Sequence, residues 1–141
     1  TITRLQNMGT PDYLISAATQ LVLAQRLARR SCKECRAPDE DVTPKVLTDL
    51  GFSPELASRV KALKGKGCPK CKDSGYKGRQ GIYEILVVSK PVKEAILRQA
   101  TTPELREIAI KEGFQTMQDM GRRLIANGEL NFREYERVLS S

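Results

Sequence analysis

Residues 67–88 read Gly67-Cys68-Pro69-Lys70-Cys71-Lys72-Asp73-Ser74-Gly75-Tyr76-Lys77-Gly78-Arg79-Gln80-Gly81-Ile82-Tyr83-Glu84-Ile85-Leu86-Val87-Val88, and the rest of the chain is organised around them. Gly and Pro recur too often through residues 65–80 for a regular helix. Residues 81–88 are the strongest strand signal in the sequence. Their apolar side chains fall on both faces, so this strand is expected to be largely covered. A second Cys-x-x-Cys pair, Cys32-Lys33-Glu34-Cys35, lies upstream and is separated from Cys68 by 32 residues.

The two pairs use all four cysteines of the chain. Two-residue spacing lets a tight turn set both sulfurs on one ion, and two such turns complete a tetrahedron. Zn²⁺ accepts Cys32, Cys35, Cys68 and Cys71 without redox chemistry. A closed shell leaves no position for water, so the site reads as structural. Disulfides, redox thiols and tetrathiolate iron draw on the same residues and stay open as alternatives. Thioredoxin-type chemistry calls for a pair at a helix start after a strand, and neither pair reads that way.

Outward from this middle the pattern is helical. Thr10-Pro11, Thr43-Pro44, Ser53-Pro54 and Thr102-Pro103 each suit an N-cap hydroxyl followed by proline in the first turn. They predict a long helix from Thr10 to about Arg30 and short helices over 44–50 and 54–64. Arg26, Arg29 and Arg30 would close the long helix against the negative end of its dipole. Apolar stripes at 92–100, 105–109, 117–125 and 132–139 predict four further helices. Gly113 and Gly128 fall at C-terminal caps, and Asn131 with Glu134 has capping-box spacing. The Met117 and Met120 stripe reads as core packing. Gly75, Gly78 and Gly81 serve turns, since they lack the strand–loop–helix setting of a phosphate cradle. Glu84, an acid in an apolar strand, is expected to pair with Arg79. The predicted fold is mainly α with a small β element: a multi-helix domain stapled by a tetracysteine zinc site. Its parts are residues 1–31 (a connecting segment and long helix), a zinc-binding insertion over 32–80, and a strand plus helical bundle over 81–141.

Composition narrows the chemistry. Among 141 residues there is no histidine, which excludes a His general base and any His-ligated metal within this chain. The formal charge is +7, reduced to about +5 once four thiolates and one Zn²⁺ are counted. Eight basic residues face one acid, Asp73, between Arg59 and Arg79. A basic zinc ribbon invites a nucleic-acid reading. Only Tyr76 stands near the basic run as a stacking platform, so nucleic acid is not favoured. No run of eighteen apolar residues exists, so no transmembrane helix is expected. The chain opens Thr1-Ile2-Thr3-Arg4, without an initiator methionine or secretory signal, which suits a segment of a longer protein.

Several segments, in order, resemble the assembly ATPases of type IV pili and type II secretion. These are Thr3–Gly9, Val22–Arg30 leading into the first Cys pair, Gly67–Cys71, Gly75–Glu84 and Glu112–Met117. At Glu129-Leu130-Asn131-Phe132 the chain departs from that family's usual Thr-Thr pair. The resemblance implies a hexameric cytoplasmic motor, peripheral to the bacterial inner membrane, that hydrolyses ATP and drives a polytopic platform protein. Pilus extension is the preferred process. A free-standing zinc module binding nucleic acid and a structural adaptor are the rivals. ATP and Mg²⁺ would belong to an upstream domain, because no Gly-x-x-x-x-Gly-Lys-Ser/Thr occurs here. The resemblance places Arg4, Gln25 and Arg26 nearest that domain, to transmit nucleotide state or to meet a neighbouring subunit. Simple helix-end charge is the alternative for Arg26.

Overall fold

A computed structural model describes residues 1–139. The helices are α1 (Ile2–Asn7), α2 (Asp12–Ala18), α3 (Pro44–Asp49), α4 (Pro54–Arg59), α5 (Lys90–Leu97), α6 (Thr102–Lys111), α7 (Met117–Ala126) and α8 (Phe132–Leu139). Strands β1 (Leu21–Ser31) and β4 (Tyr76–Val87) pair with each other, as do β2 (Arg36–Pro38) and β3 (Leu63–Gly65). The chain forms two compact units, residues 1–24 with 84–116 and residues 25–83 with 117–141. The expected helical fold with a small β component is present.

One expectation is overturned. The long helix from Thr10 to Arg30 stops at Ala18, where Thr19 turns extended (φ −83°, ψ 120°), and Leu21–Ser31 is a strand. Leu, Ala, Gln and Arg favour helix in isolation, but the strongly β-forming partner β4 supplies backbone hydrogen bonds that override so weak a prior. Arg26, Arg29 and Arg30 therefore lie on a strand and do not close a helix of their own. The helix expected over 54–64 also ends early, at Arg59, because Val60 is extended and Leu63–Gly65 is drawn into the β2 ladder.

The caps follow local chemistry. Thr43 Oγ1 accepts from Val46 N at 3.3 Å and Ser53 Oγ from Leu56 N at 3.2 Å. α6 is capped one residue earlier than expected, by Thr101, with Thr102-Pro103 inside the first turn. Thr10 caps nothing; its N–H closes the end of α1 on Leu5 O at 3.2 Å, and α2 begins after Pro11.

In the first unit Ile2, Ile15, Val88, Val92, Ala95, Ile96 and Leu105 form the core, with Val22 and Leu86 packed against it. The core of the second unit gathers Ala28, Leu47, Phe52, Ile82 and Met117 with the apolar faces of α7 and α8, and Met120 packs at its margin. α7 and α8 approach so closely that a Cβ on Gly121 would lie 2.5 Å from Leu139 Cδ1 and 2.7 Å from Tyr135 Cε2.

Glu134 ties α8 to β1. Its side chain is fully buried and bonds the Arg29 N–H (2.6 Å), the Arg29 guanidinium (3.0 Å) and the Arg137 guanidinium (2.6 and 2.7 Å). Asn131 Oδ1 accepts from the Glu134 N–H at 2.7 Å, as the capping spacing predicts. The carboxylate is nevertheless committed to the two arginines. Burial opposes its ionisation, but the Arg137 and Arg29 hydrogen bonds outweigh that and hold its pKa down to about 2.

Two outcomes follow from this packing. Gly121→Ala is expected to lower stability by about 1–3 kcal/mol through overpacking, read from the urea midpoint at constant m-value. Because the fold depresses the Glu134 pKa from 4.5 to about 2, its contribution is fully present above about pH 4.5 and is lost as pH falls toward 2. Glu134→Gln should therefore cost about 3 kcal/mol at pH 7. The gap from the parent chain should close on acidification, and thiol protonation cancels because both chains share it. A gap independent of pH would contradict this account.

Candidate metal centre

The four cysteines sit on two short turns that the backbone sets face to face. Cys32 follows β1, and Cys35 precedes β2. Cys68 caps and Cys71 ends a single turn of 3-10 helix, Pro69–Cys71, followed by Lys72 in the left-handed region (φ 55°). The antiparallel β2–β3 ladder pairs Arg36 with Gly65, so the chain leaving the first knuckle is clamped to the chain entering the second. Cys32 N donates to Gly75 O at 2.9 Å and closes the other side. That crossing leaves no room for side chains. A Cβ on Gly65 would lie 2.0 Å from Gly75 O, and Gly75 itself has φ +79°. Glycine is required at both positions.

All four Sγ atoms lie within 4.8 Å of one another. The Cys32–Cys68, Cys35–Cys71 and Cys68–Cys71 separations are 3.7, 3.8 and 3.7 Å. A regular tetrahedron with metal–sulfur bonds of about 2.3 Å has edges of about 3.8 Å. A disulfide requires about 2.05 Å, and all four cysteines are free. The donor set therefore fits one tetrahedral S₄ ion, a geometry that zinc and iron centres share.

The backbone also prepares the sulfurs. Gly67 N donates to Cys35 Sγ at 3.2 Å, and Cys68 N and Gly75 N donate to Cys71 Sγ at 3.2 and 3.3 Å. At Cys71 burial opposes the thiolate, but the Gly75 and Cys68 N–H groups and the neighbouring thiols bring its pKa down to about 6. At Cys35 burial dominates; the Gly67 N–H works against it, and the other three thiols add to it, leaving the pKa near 11. One thiolate is thus prepared by the fold, and a cation would supply the charge that ionises the others.

The remaining expected site residues do not gather here. Arg4 is exposed on α1 of the first unit, whereas Gln25 and Arg26 are exposed on β1 of the second. Arg26 Nη1 donates to Val138 O. Arg79 and Glu84 fall in different units, and neither takes part in an ion pair among the described residues. Half-buried Glu84 instead lines a groove beside Arg106.

Sequence reasoning missed a cluster beside the metal turns. The Arg29 guanidinium lies 4.1 Å from the Tyr76 ring centroid while it bonds Glu134, and Asn131 Nδ2 donates to Tyr76 Oη at 3.0 Å. Only the Asn131–Glu134 spacing hinted at it. Arg36 Nη1 reaches Gly128 O at 3.1 Å, so the first knuckle is also tied to the end of α7.

A family model described as type II/IV secretion system protein matches residues 1–137. The chain belongs to this family. It is 37% identical over 134 residues to the type IV pilus assembly ATPase PilB of Myxococcus xanthus, covering 95% of this chain and 24% of that protein. It is 41% identical over 123 residues to PilB of Thermus thermophilus, covering 85% and 13%. With type II secretion system protein E of Aeromonas hydrophila it shares 35% over 138 residues, covering 97% and 26%. This secretion-family chain thus spans about a quarter or less of the length of these relatives. No helix among its described residues is long and apolar enough to cross a membrane.

In this family member the four-sulfur geometry predicts one bound ion per chain. Cys68→Ser should abolish stoichiometric zinc in elemental analysis and increase amide exchange through residues 32–80 while leaving α5 and α6 protected. Full retention of zinc by that variant would refute a four-ligand site.

Proposed function

We propose that this chain is the zinc-stabilised C-terminal part of a hexameric ATPase that couples ATP hydrolysis to filament assembly through a polytopic inner-membrane platform protein. The observation that carries this reading is the family match across residues 1–137, with relatives named as pilus assembly and secretion ATPases. Type IV pilus extension is the preferred process, since two pilus relatives reach 41% and 37%; further pilus relatives at 33–35% share the range of the secretion proteins.

Within that reading, Cys32, Cys35, Cys68 and Cys71 hold Zn²⁺. The bound ion supplies charge neutralisation and a cross-link, and no reaction takes place on it. The chain's own part is mechanical. The β2–β3 ladder, the Gly65–Gly75 crossing and the Glu134 cluster make the second unit a stiff body, suited to being carried by an ATPase core. ATP and Mg²⁺ bind in an upstream domain, since this sequence has no phosphate-binding loop. Arg4, Gln25 and Arg26 are exposed where they can meet that core or a neighbouring subunit. The motor acts in the cytoplasm and reaches the inner membrane through its partner. The nucleic-acid rival loses Tyr76, the aromatic beside the basic run, because Arg29 and Asn131 engage it.

Made from its complete reading frame, the protein should sediment as a hexamer and hydrolyse ATP, and residues 1–141 alone should hydrolyse none. Turnover by residues 1–141 alone, or none by the complete protein, overturns the proposal.

A further inference from the structure

Two of the motifs noted in the sequence meet at a place that the proposed function does not use. Arg29, from the Val22–Arg30 run, and Arg79, from the Gly75–Glu84 run, are joined by Arg137 of α8 around an open cavity of about 460 Å³ in the second unit. Leu27 and Ala28 form the rest of its lining. The carboxylate that serves these arginines is Glu134, fully buried, which offsets one of their three charges. Arg29 and Arg137 bond it through Nε and Nη2, so the Nη1 of each lies outside that pairing. Arg79 is exposed, and its side chain makes no hydrogen bond or ion pair among the described residues. Tyr76 supports the Arg29 guanidinium at 4.1 Å, and Glu134 holds both Arg29 and Arg137, so two of the three groups are fixed in advance.

The surrounding field has the same sign. Eighteen basic and eleven acidic residues fall in the second unit, against six of each in the first, so the unit that holds the cavity carries the whole formal +7, or about +5 with the metal bound. Planar guanidinium forks match the oxygens of phosphate, and a phosphate near neutral pH carries about −1.5 to −2 charge with three strong acceptor oxygens. That matches two uncompensated charges and three guanidinium groups. A carboxylate would leave one charge unmet, and chloride offers no directional acceptor.

We propose that the Arg29–Arg79–Arg137 cavity is a phosphate-binding site, taking inorganic phosphate or the phosphate of a nucleotide. The assignment stands independently of the ATPase reading. It is tested by isothermal titration of the metal-loaded chain with inorganic phosphate and with ADP, each at ionic strength matched by sodium chloride. One site per chain is expected, weakened at least ~10-fold in Arg79→Gln. That substitution removes no structural contact, so its urea midpoint should equal that of the parent and fold is not in question. Tighter binding of ADP than of phosphate assigns the source to nucleotide, and equal binding assigns it to free phosphate; either supports the site. No heat beyond the chloride control, or equal binding by Arg79→Gln, overturns it.

Discussion

Everything in the second unit depends on bringing four sulfurs from two turns to edges of 3.7 to 3.8 Å. Four thiols at that spacing are a poor arrangement by themselves, since ionising one raises the cost of ionising the next. The fold meets this partly with N–H donors aimed at Cys35 and Cys71. It meets it partly with sterics, because only glycine at positions 65 and 75 lets the two turns cross. A cation would complete the arrangement, and its binding would then be linked to the ordering of residues 32–80.

A second constraint joins that centre to the end of the chain. Glu134 would be prohibitively costly in a core without partners. It is kept because β1 brings Arg29 and α8 brings Arg137, and Arg29 rests on Tyr76 only a few residues past Cys71. Metal turns, β ribbon and last helix are thereby parts of one packed body. Its surface carries the chain's entire net charge, whereas the first unit is electrically balanced. Basic character is thus a property of one unit, the one that holds the three-arginine cavity.

Much of this was legible in the residues. The cysteine spacing foretold the cluster, because spacing determines which turn can form and which atoms can share an ion. The caps at Thr43 and Ser53, the helix stops at Gly113 and Gly128, and the four C-terminal helices depend on near neighbours and were read correctly. Residues 21–31 have propensities that favour helix; the strand is decided by β4, some fifty residues away. The Arg79–Glu84 pair was inferred from a need for charge balance. Neither residue takes part in an ion pair among the described residues, and the two belong to different compact units.

By itself, then, the sequence determined what local spacing and chemistry decide: the four-cysteine donor set, the caps, the absence of histidine chemistry and the family. Tertiary structure alone decided that Leu21–Ser31 is a strand, that Glu134 is a buried clamp, and that Arg29, Arg79 and Arg137 share a cavity. The reason is range. A turn or cap is satisfied within four residues, whereas strand pairing and burial of a charge depend on partners that folding brings from 50 to more than 100 positions away.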